Sequence, residues 1–147
     1  MSTKPTIVLA HGFWGGAAHW SKAILALSRM GHDKIRAVEM PLTSLADDAE
    51  RLRKMTVQQE GPVLLVGHSY GGAVITQAGA LPNVVGLVYI AAFAPDAGES
   101  PGGISQEHPP AASVRNIHLR HSPIWLPTAM DISGSSTISF TKASARI

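Results

Sequence analysis

Residues 63–72 of the chain read VLLVGHSYGG, and this stretch decides the fold. Its apolar first half predicts a buried strand, and the small residues after Ser69 predict a helix that starts close to the sheet. Gly67 and Gly71 leave room for a turn so sharp that the Ser69 hydroxyl would project from it. The free N–H groups at the start of such a helix suit a developing oxyanion. The alternative interpretation is an ordinary small-residue turn in an α/β domain.

A second glycine-rich stretch follows an earlier apolar run. Residues 6–10, TIVLA, are partly β-branched, which predicts a strand that is buried on both faces, as in a parallel sheet. Residues 11–16, HGFWGG, come directly after it. Open α/β sheets place their ligands beyond the carboxyl ends of their strands. This loop is therefore expected at the ligand-binding edge of the sheet.

The segments between the strands have the spacing of helices. Apolar residues recur at helical intervals over residues 20–30, and Gly31 is placed to end that helix. Ser44 and Asp47 form a capping-box pattern that predicts the start of another helix. That helix has an apolar stripe and a charged side predicted to face solvent. The stripe consists of Leu45, Ala49, Leu52 and Met55, and the charged side of Asp48, Glu50, Arg51, Arg53 and Lys54.

Strands are also predicted over residues 35–40 and 84–90, and a helix over residues 71–80. This alternation predicts an α/β fold with about four parallel strands and helices on both faces. The run at residues 136–140 is polar and isolated, so the strand over residues 84–90 is expected to be the last one. Its edge would then be exposed, which favours self-association.

Composition excludes several classes of protein. Hydrophobic residues make up 45% of the chain and charged residues 15%, which is typical of a globular domain. The absence of cysteine excludes disulfides and thiolate metal sites. The sequence pI near 9.2 reflects the tail, because residues 1–113 contain eight Lys or Arg and nine Asp or Glu, whereas residues 114–147 contain four and one. Nucleic-acid binding is therefore not expected. The N-terminal apolar run is too short for a signal peptide or membrane span, so a cytoplasmic location is expected.

The two glycine-rich stretches, each directly after a strand, resemble those of the α/β-hydrolase superfamily. Residues 90–95, IAAFAP, also resemble the strand end that precedes the cap in that superfamily. Within it, the chain is most similar to small esterase-like members of the methylesterase and hydroxynitrile-lyase type. The resemblance implies a serine hydrolase that acts on a small-molecule carboxylic ester through an acyl-enzyme, with no cofactor and no metal.

The resemblance also implies roles for individual residues. Ser69 would be the nucleophile, and the backbone N–H groups of Phe13 and Tyr70 would form the oxyanion hole. Gly12 would let its loop approach closely. The side chains of Phe13, Trp14 and Tyr70 are candidate walls of the substrate pocket, with core packing as the alternative.

The acid and the histidine of the superfamily's catalytic triad have no matching motif in this chain. His11 is expected to organise its loop and not to act as a base, and His68 is expected to pack or form a hydrogen bond locally. The remaining candidates lie in irregular sequence, which would not hold a base within hydrogen-bond reach of Ser69. They are Asp96, Glu99 and Asp131 for the acid, and His108, His118 and His121 for the base.

The chain is therefore interpreted as the N-terminal part of an α/β-hydrolase domain, residues 1–113, followed by an irregular tail, residues 114–147, that is foreign to the fold. A truncation or a frameshift near residues 113–122 would explain the tail, because a frame shifted by two bases over residues 130–146 can encode an aromatic segment that resembles the superfamily's cap. Turnover is expected to be impaired. The alternative is a non-catalytic fragment that binds a small ligand or a partner chain.

Overall fold

The computed structural model describes residues 4–96, 98–100 and 103–104, together with a short strand at residues 138–141. Strands and helices alternate along the first 90 residues, as the apolar spacing predicts. A short 3₁₀ turn, Ala17–Trp20, precedes the first helix. The elements are β1 Thr6–Ala10, α1 Ser21–Arg29, β2 Ile35–Val38, α2 Leu45–Val57, β3 Val63–His68, α3 Tyr70–Ala78, β4 Val84–Ile90 and β5 Ile138–Thr141.

The strands form one sheet in the order β2-β1-β3-β4-β5. The first four are parallel, which confirms the predicted four-stranded parallel sheet with helices. Ala10 of β1 lies beside Gly67 of β3, and Gly67 lies beside Tyr89 of β4. The carboxyl ends of these three strands therefore meet at one edge of the sheet.

The strand β5 corrects one sequence-based expectation. It pairs antiparallel with β4, so that Leu87 lies opposite Thr141 and Ile90 opposite Ile138. The prediction that β4 has an exposed, unpaired edge is therefore wrong for residues 87–90. The pairing partner lies far along the chain, in a run over residues 136–140 whose apolar and polar residues alternate but which is polar and isolated. Self-association stays an untested prediction, as does the boundary of the tail, most of which lies outside the described residues.

The helices cover the two faces of the sheet unequally. On one face, which we call the α2–α3 face, α2 and α3 enclose a cluster that includes Val8, Leu65 and Tyr89. On the opposite face, the α1 face, a smaller cluster contains Ile7, Leu9, Trp20 and Val66. Successive strand residues alternate between the two clusters because strand side chains point to opposite faces in turn.

Two helix ends confirm the local signals in the sequence. The Ser44 hydroxyl accepts a hydrogen bond from the Asp47 N–H at 3.0 Å, and it donates to the Asp47 carboxylate at 2.8 Å. This is the side-chain cap expected at the start of α2. Gly31 follows α1 with φ of 82°, a left-handed conformation that favours glycine.

The predicted charged side of α2 is correct except at Asp48. This carboxylate is fully buried, whereas Glu50, Arg51 and Lys54 are exposed. Asp48 follows Leu45 by three residues and precedes Leu52 by four, so it lies on the same helical face as the apolar stripe. None of the helices that the structure describes is long and apolar enough to cross a membrane.

Candidate active site

Ser69 lies in the turn between β3 and α3, at the edge where the parallel strands end. Its backbone has φ of 53° and ψ of −122°, which is rare for a residue with a side chain. Its N–H donates to the Ile90 carbonyl at 3.2 Å, which ties the turn to the end of β4. We call the turn at residues 67–71 the elbow. Its strained backbone is what the glycines around Ser69 predict.

The glycines of the elbow are required by the closeness of the backbone. A Cβ atom at Gly67 would lie 2.5 Å from the Gly71 carbonyl carbon and 2.7 Å from the Gly72 nitrogen. A Cβ at Gly71 would overlap the Ala10 carbonyl oxygen. These contacts are with main-chain atoms, which cannot move away without displacing a strand or helix. The first turn of α3 is therefore packed directly on the ends of β1 and β3.

The loop after β1 reaches the elbow, as expected for two glycine-rich stretches at one sheet edge. Gly12 is buried, and a Cβ atom there would lie 2.9 Å from the Ser69 Cβ and 3.1 Å from the His68 Nδ1. Only glycine allows this approach. The loop carrying Phe13 is therefore brought against the serine.

His11 holds this loop through both ring nitrogens. Its Nδ1 lies 2.9 Å from the Gly12 carbonyl, and its Nε2 accepts the Met40 N–H at 3.1 Å. Nε2 must then be unprotonated, so Nδ1 is the donor. The Glu39 carboxylate lies 4.0 Å from Nε2, but an ion pair there would need a proton that the Met40 bond excludes. Because both nitrogens are engaged, His11 cannot take a proton from Ser69.

The aromatic side chains around the elbow have different surroundings. The Tyr70 ring is buried, and its hydroxyl donates to the Asp48 Oδ2 at 2.6 Å. The Phe13 ring packs on it with a centroid distance of 4.2 Å. Trp14 is 69% exposed, so it belongs neither to the core nor to an enclosed pocket wall among the described residues. Its backbone has a positive φ of 62°, and its ring lies 6.4 Å from that of Phe13 between centroids.

The environment of Tyr70 changes its acidity. Burial raises the pKa of the Tyr70 phenol above its ordinary value, and the hydrogen bond and negative charge of Asp48 raise it further. Each of these effects penalises the phenolate. The Tyr70 side chain is thus a neutral hydrogen-bond donor at physiological pH.

The described residues provide no base for Ser69. The exposed His68 ring meets the Trp20 ring edge-on, with centroids 6.4 Å apart. Within the described part of the chain, no side chain forms a hydrogen bond with the Ser69 hydroxyl. No three His, Asp or Glu side chains of that part gather closely enough to hold a metal ion.

The predicted substitutes for the triad acid and base are only partly described. Asp96 and Glu99 are exposed and are bonded within one turn, where the Glu99 carboxylate accepts the Asp96 N–H at 2.8 Å. The other candidates lie outside the described residues. They are Asp131, His108, His118 and His121.

Comparison with known proteins agrees with this architecture. The model of the alpha/beta hydrolase family matches residues 7–144. A carbendazim hydrolyzing esterase from Nocardioides sp. (strain SG-4G) is 32% identical over 106 residues, which cover 63% of this chain and 44% of that protein. Norfluorocurarine synthase 2 from a Strychnos species is 28% identical over 148 residues, which cover 90% of this chain and 50% of that protein. The chain spans about half the length of these curated relatives.

The same fold occurs in solved structures. The crystal structure of a pyrethroid hydrolase from Sphingobium faniae JZ-2 matches with a TM-score of 0.53 and 23% identity, over 60% of this chain and 40% of that one. At this identity the likeness concerns the fold alone. The family model spans most of the chain, and the sheet, the elbow and the glycine-rich loop are arranged accordingly. The chain therefore belongs to the alpha/beta hydrolase family.

Proposed function

We propose that the chain is a serine hydrolase for small carboxylic esters, with Ser69 as the nucleophile. The observation that carries this proposal is the strained backbone of Ser69 at the end of β3, with Gly12 packed against it. Strain of this kind persists only where the surrounding structure enforces it, and it is concentrated at functional sites. The similarity to a carbendazim hydrolyzing esterase supports ester-like substrates.

In the proposed reaction the Ser69 oxygen attacks the ester carbonyl and forms a tetrahedral intermediate. The backbone N–H groups of Phe13 and Tyr70 stabilise its oxyanion, and the hydroxyl proton of Ser69 passes to the leaving oxygen through solvent. The C–O bond to the alcohol then breaks, and water hydrolyses the remaining acyl-enzyme to the acid and the free serine. Gly12 supports this assignment, because its missing side chain lets the Phe13 loop reach Ser69. The two proposed donors thus lie in the two segments that meet at Ser69, the loop after β1 and the first residue of α3.

Turnover by this chain is proposed to be slow. A serine hydroxyl is a weak nucleophile without a base. Among the residues that the structure describes, none bonds the Ser69 hydroxyl, and both nitrogens of His11 are engaged elsewhere. Hydrolases of this type that lack triad partners still accelerate the reaction about 10³-fold or more over water, through the oxyanion hole and substrate binding. We therefore expect slow acylation of Ser69 and a weak steady-state rate.

A fluorophosphonate probe with p-nitrophenyl acetate as substrate tests the proposal. The probe is expected to modify the folded protein at one site, mapped by peptide mass spectrometry to Ser69, and Ser69→Ala is expected to abolish both labelling and p-nitrophenol release. Ser28→Ala is the matched control, because Ser28 is exposed on α1 and its substitution should leave both signals unchanged. Labelling that persists in Ser69→Ala, or a folded wild-type protein that is never labelled, would refute the proposal.

A further inference from the structure

Asp48 is a carboxylate inside the core that no step of the proposed ester chemistry uses. It is fully buried, and both of its oxygens are bonded. Oδ1 accepts the Leu42 N–H at 2.9 Å, and Oδ2 accepts the Tyr70 hydroxyl at 2.6 Å. A buried carboxylate is costly even when it is hydrogen-bonded, and an apolar residue could fill the same space. Its position in the core therefore needs a physical explanation beyond packing.

The partner of Asp48 is the residue directly after the proposed nucleophile. Tyr70 begins α3, so its side chain and the N–H that follows Ser69 belong to one residue. The hydrogen bond to Asp48 fixes the far end of the Tyr70 side chain, which limits how far the Cα of this residue, and the N–H beside it, can move. The short 2.6 Å distance is typical of an O–H bond to a charged acceptor, which is stronger than a bond between neutral groups.

The Tyr70 side chain also contacts Phe13, the residue of the other proposed oxyanion donor. The Phe13 ring packs on the Tyr70 ring at 4.2 Å between centroids, with an interplanar angle of 45°. The two rings thus connect the loop after β1 to the first residue of α3. One carboxylate on α2 therefore holds, directly or through a single ring contact, both residues whose amides are the proposed oxyanion donors.

We infer that Asp48 is a positioning residue for the oxyanion hole, acting through the Tyr70 hydroxyl and the contact between Tyr70 and Phe13. The inference rests on the proposed function. Oxyanion donors work only within about 2.7–3.1 Å of the oxygen they stabilise. A displacement of about 1 Å at such a site costs on the order of 100-fold in rate. A network that holds both amides is therefore expected to affect acylation more than substrate binding.

The test is the rate of Ser69 modification by a fluorophosphonate in the full chain, measured for variants that are folded by circular dichroism. Tyr70→Phe and Asp48→Ala remove the hydrogen bond and are expected to slow modification about ten- to a hundred-fold. Asp48→Asn is the rescuing variant, because its amide can donate to the Tyr70 oxygen while its carbonyl accepts the Leu42 N–H. It should stay within about three-fold of the wild type, on the order expected for retained geometry.

Tyr89→Phe provides the matched control. Tyr89 belongs to the same core cluster as Tyr70, and its hydroxyl forms a 2.8 Å hydrogen bond with the Thr76 hydroxyl, which is part-buried. The substitution therefore removes a tyrosine hydroxyl and one hydrogen bond from the same cluster without touching Asp48. A merely structural role for Asp48 predicts that Tyr89→Phe and Tyr70→Phe behave alike. The positioning role predicts an unchanged rate of Ser69 modification in Tyr89→Phe. In both variants the probe concentration that gives half of the maximal rate should stay unchanged.

Asp48→Asn/Tyr70→Phe is the second variant, needed if an unpaired carboxylate prevents Tyr70→Phe from folding. It has no buried charge and should still react at least about ten-fold more slowly than Asp48→Asn. Equal modification rates in these two proteins would overturn the inference. A double variant that cannot fold would also overturn it, because Asp48 and Tyr70 would then be needed for folding and not specifically for the oxyanion hole. Modification that does not depend on Ser69 would instead refute the proposed function.

Discussion

The two faces of the sheet are packed very differently, although the same strands supply both. On the α2–α3 face, α2 buries four residues and α3 buries seven, including a charged side chain. On the α1 face, α1 buries none of its own residues, and the Trp20 indole N–H is buried without a partner among the described residues. The elbow is built into the closely packed face, because α3 begins at the residue after Ser69.

The difference in packing between the two faces indicates that the elbow requires close contact between α3 and the sheet. Glycines at the start of α3 let this helix touch the ends of β1 and β3, and the resulting contacts enforce the Ser69 backbone. The α1 helix has no such glycines and lies against the sheet through partly buried side chains, namely Ala23, Ile24 and Leu27. Close packing on the α2–α3 face is therefore a condition for the proposed chemistry, and the looser packing on the α1 face is not what holds the Ser69 backbone.

The largest effect is expected from Gly71→Ala. The new methyl group would overlap the Ala10 carbonyl oxygen and lie 2.8 Å from that of His11, and neither can move without displacing β1. We expect a loss of about 4 kcal/mol or more in the free energy of unfolding, enough to unfold many single domains. Urea denaturation followed by circular dichroism measures it.

Gly86→Ala is the control for this comparison. Its added methyl group would meet only the end of the Leu64 side chain, at 3.0 Å, which can rotate away. The cost should be about 1 kcal/mol or less. If both glycine variants are equally stable, the close backbone contact at the elbow is not the determinant that we describe.

A smaller effect separates two neighbouring leucines of β3. Leu65 is fully buried on the α2–α3 face, and Leu64 is half-buried on the α1 face. Leu65→Ala should cost about 2–5 kcal/mol, because it leaves a cavity in a tight core. Leu64→Ala should cost about 1 kcal/mol, because less apolar area is lost. Thermal and urea unfolding of both variants test the asymmetry, and equal losses would contradict it.

The smallest expected effect appears only at alkaline pH. Since the pKa of Tyr70 is raised on folding, the neutral phenol stabilises the protein fully below about pH 10, its ordinary pKa, and this stabilisation is lost as the pH rises through the folded value. The loss is at most about 1.4 kcal/mol per pH unit. Unfolding free energies between pH 9 and 11 should fall more steeply for the wild type than for Tyr70→Phe.

Leu64→Ala supplies the control on the opposite face. The buried cluster there consists of Ile7, Leu9, Trp20 and Val66, and none of these side chains titrates near pH 10. The variant should therefore keep the wild-type slope above pH 10. If the pH dependence of the unfolding free energy changes in Leu64→Ala and not in Tyr70→Phe, the loss of stability at alkaline pH belongs to a group other than Tyr70.

The sequence predicts those parts of the molecule that local sterics determine. Glycines on both sides of Ser69 predict the elbow, because few other turns need that spacing. Gly31 and Ser44 predict the end of α1 and the start of α2 for the same local reason. The four parallel strands follow from their apolar runs and from the helices between them.

Features that depend on distant partners could not be predicted in this way. The burial of Asp48 depends on the Tyr70 hydroxyl, and nothing near Asp48 in sequence indicates that contact. The strand β5 depends on the free edge of β4. Trp14 is exposed and has a left-handed backbone, and the local sequence indicates neither. For the burial of Asp48 the sequence offers one indication, which is its helical spacing relative to Leu45 and Leu52.

The contact between Gly71 and the Ala10 carbonyl has a consequence for how the site arises during folding. The contacts around the strained serine include main-chain atoms of β1, from the beginning of the chain, so they exist in full only when β1 lies beside β3. An isolated peptide containing the elbow would relax to an ordinary turn. Reactivity at Ser69 should consequently appear late in folding, together with the long-range strand pairing. A covalent probe is then expected to label fully folded molecules and not partly folded ones.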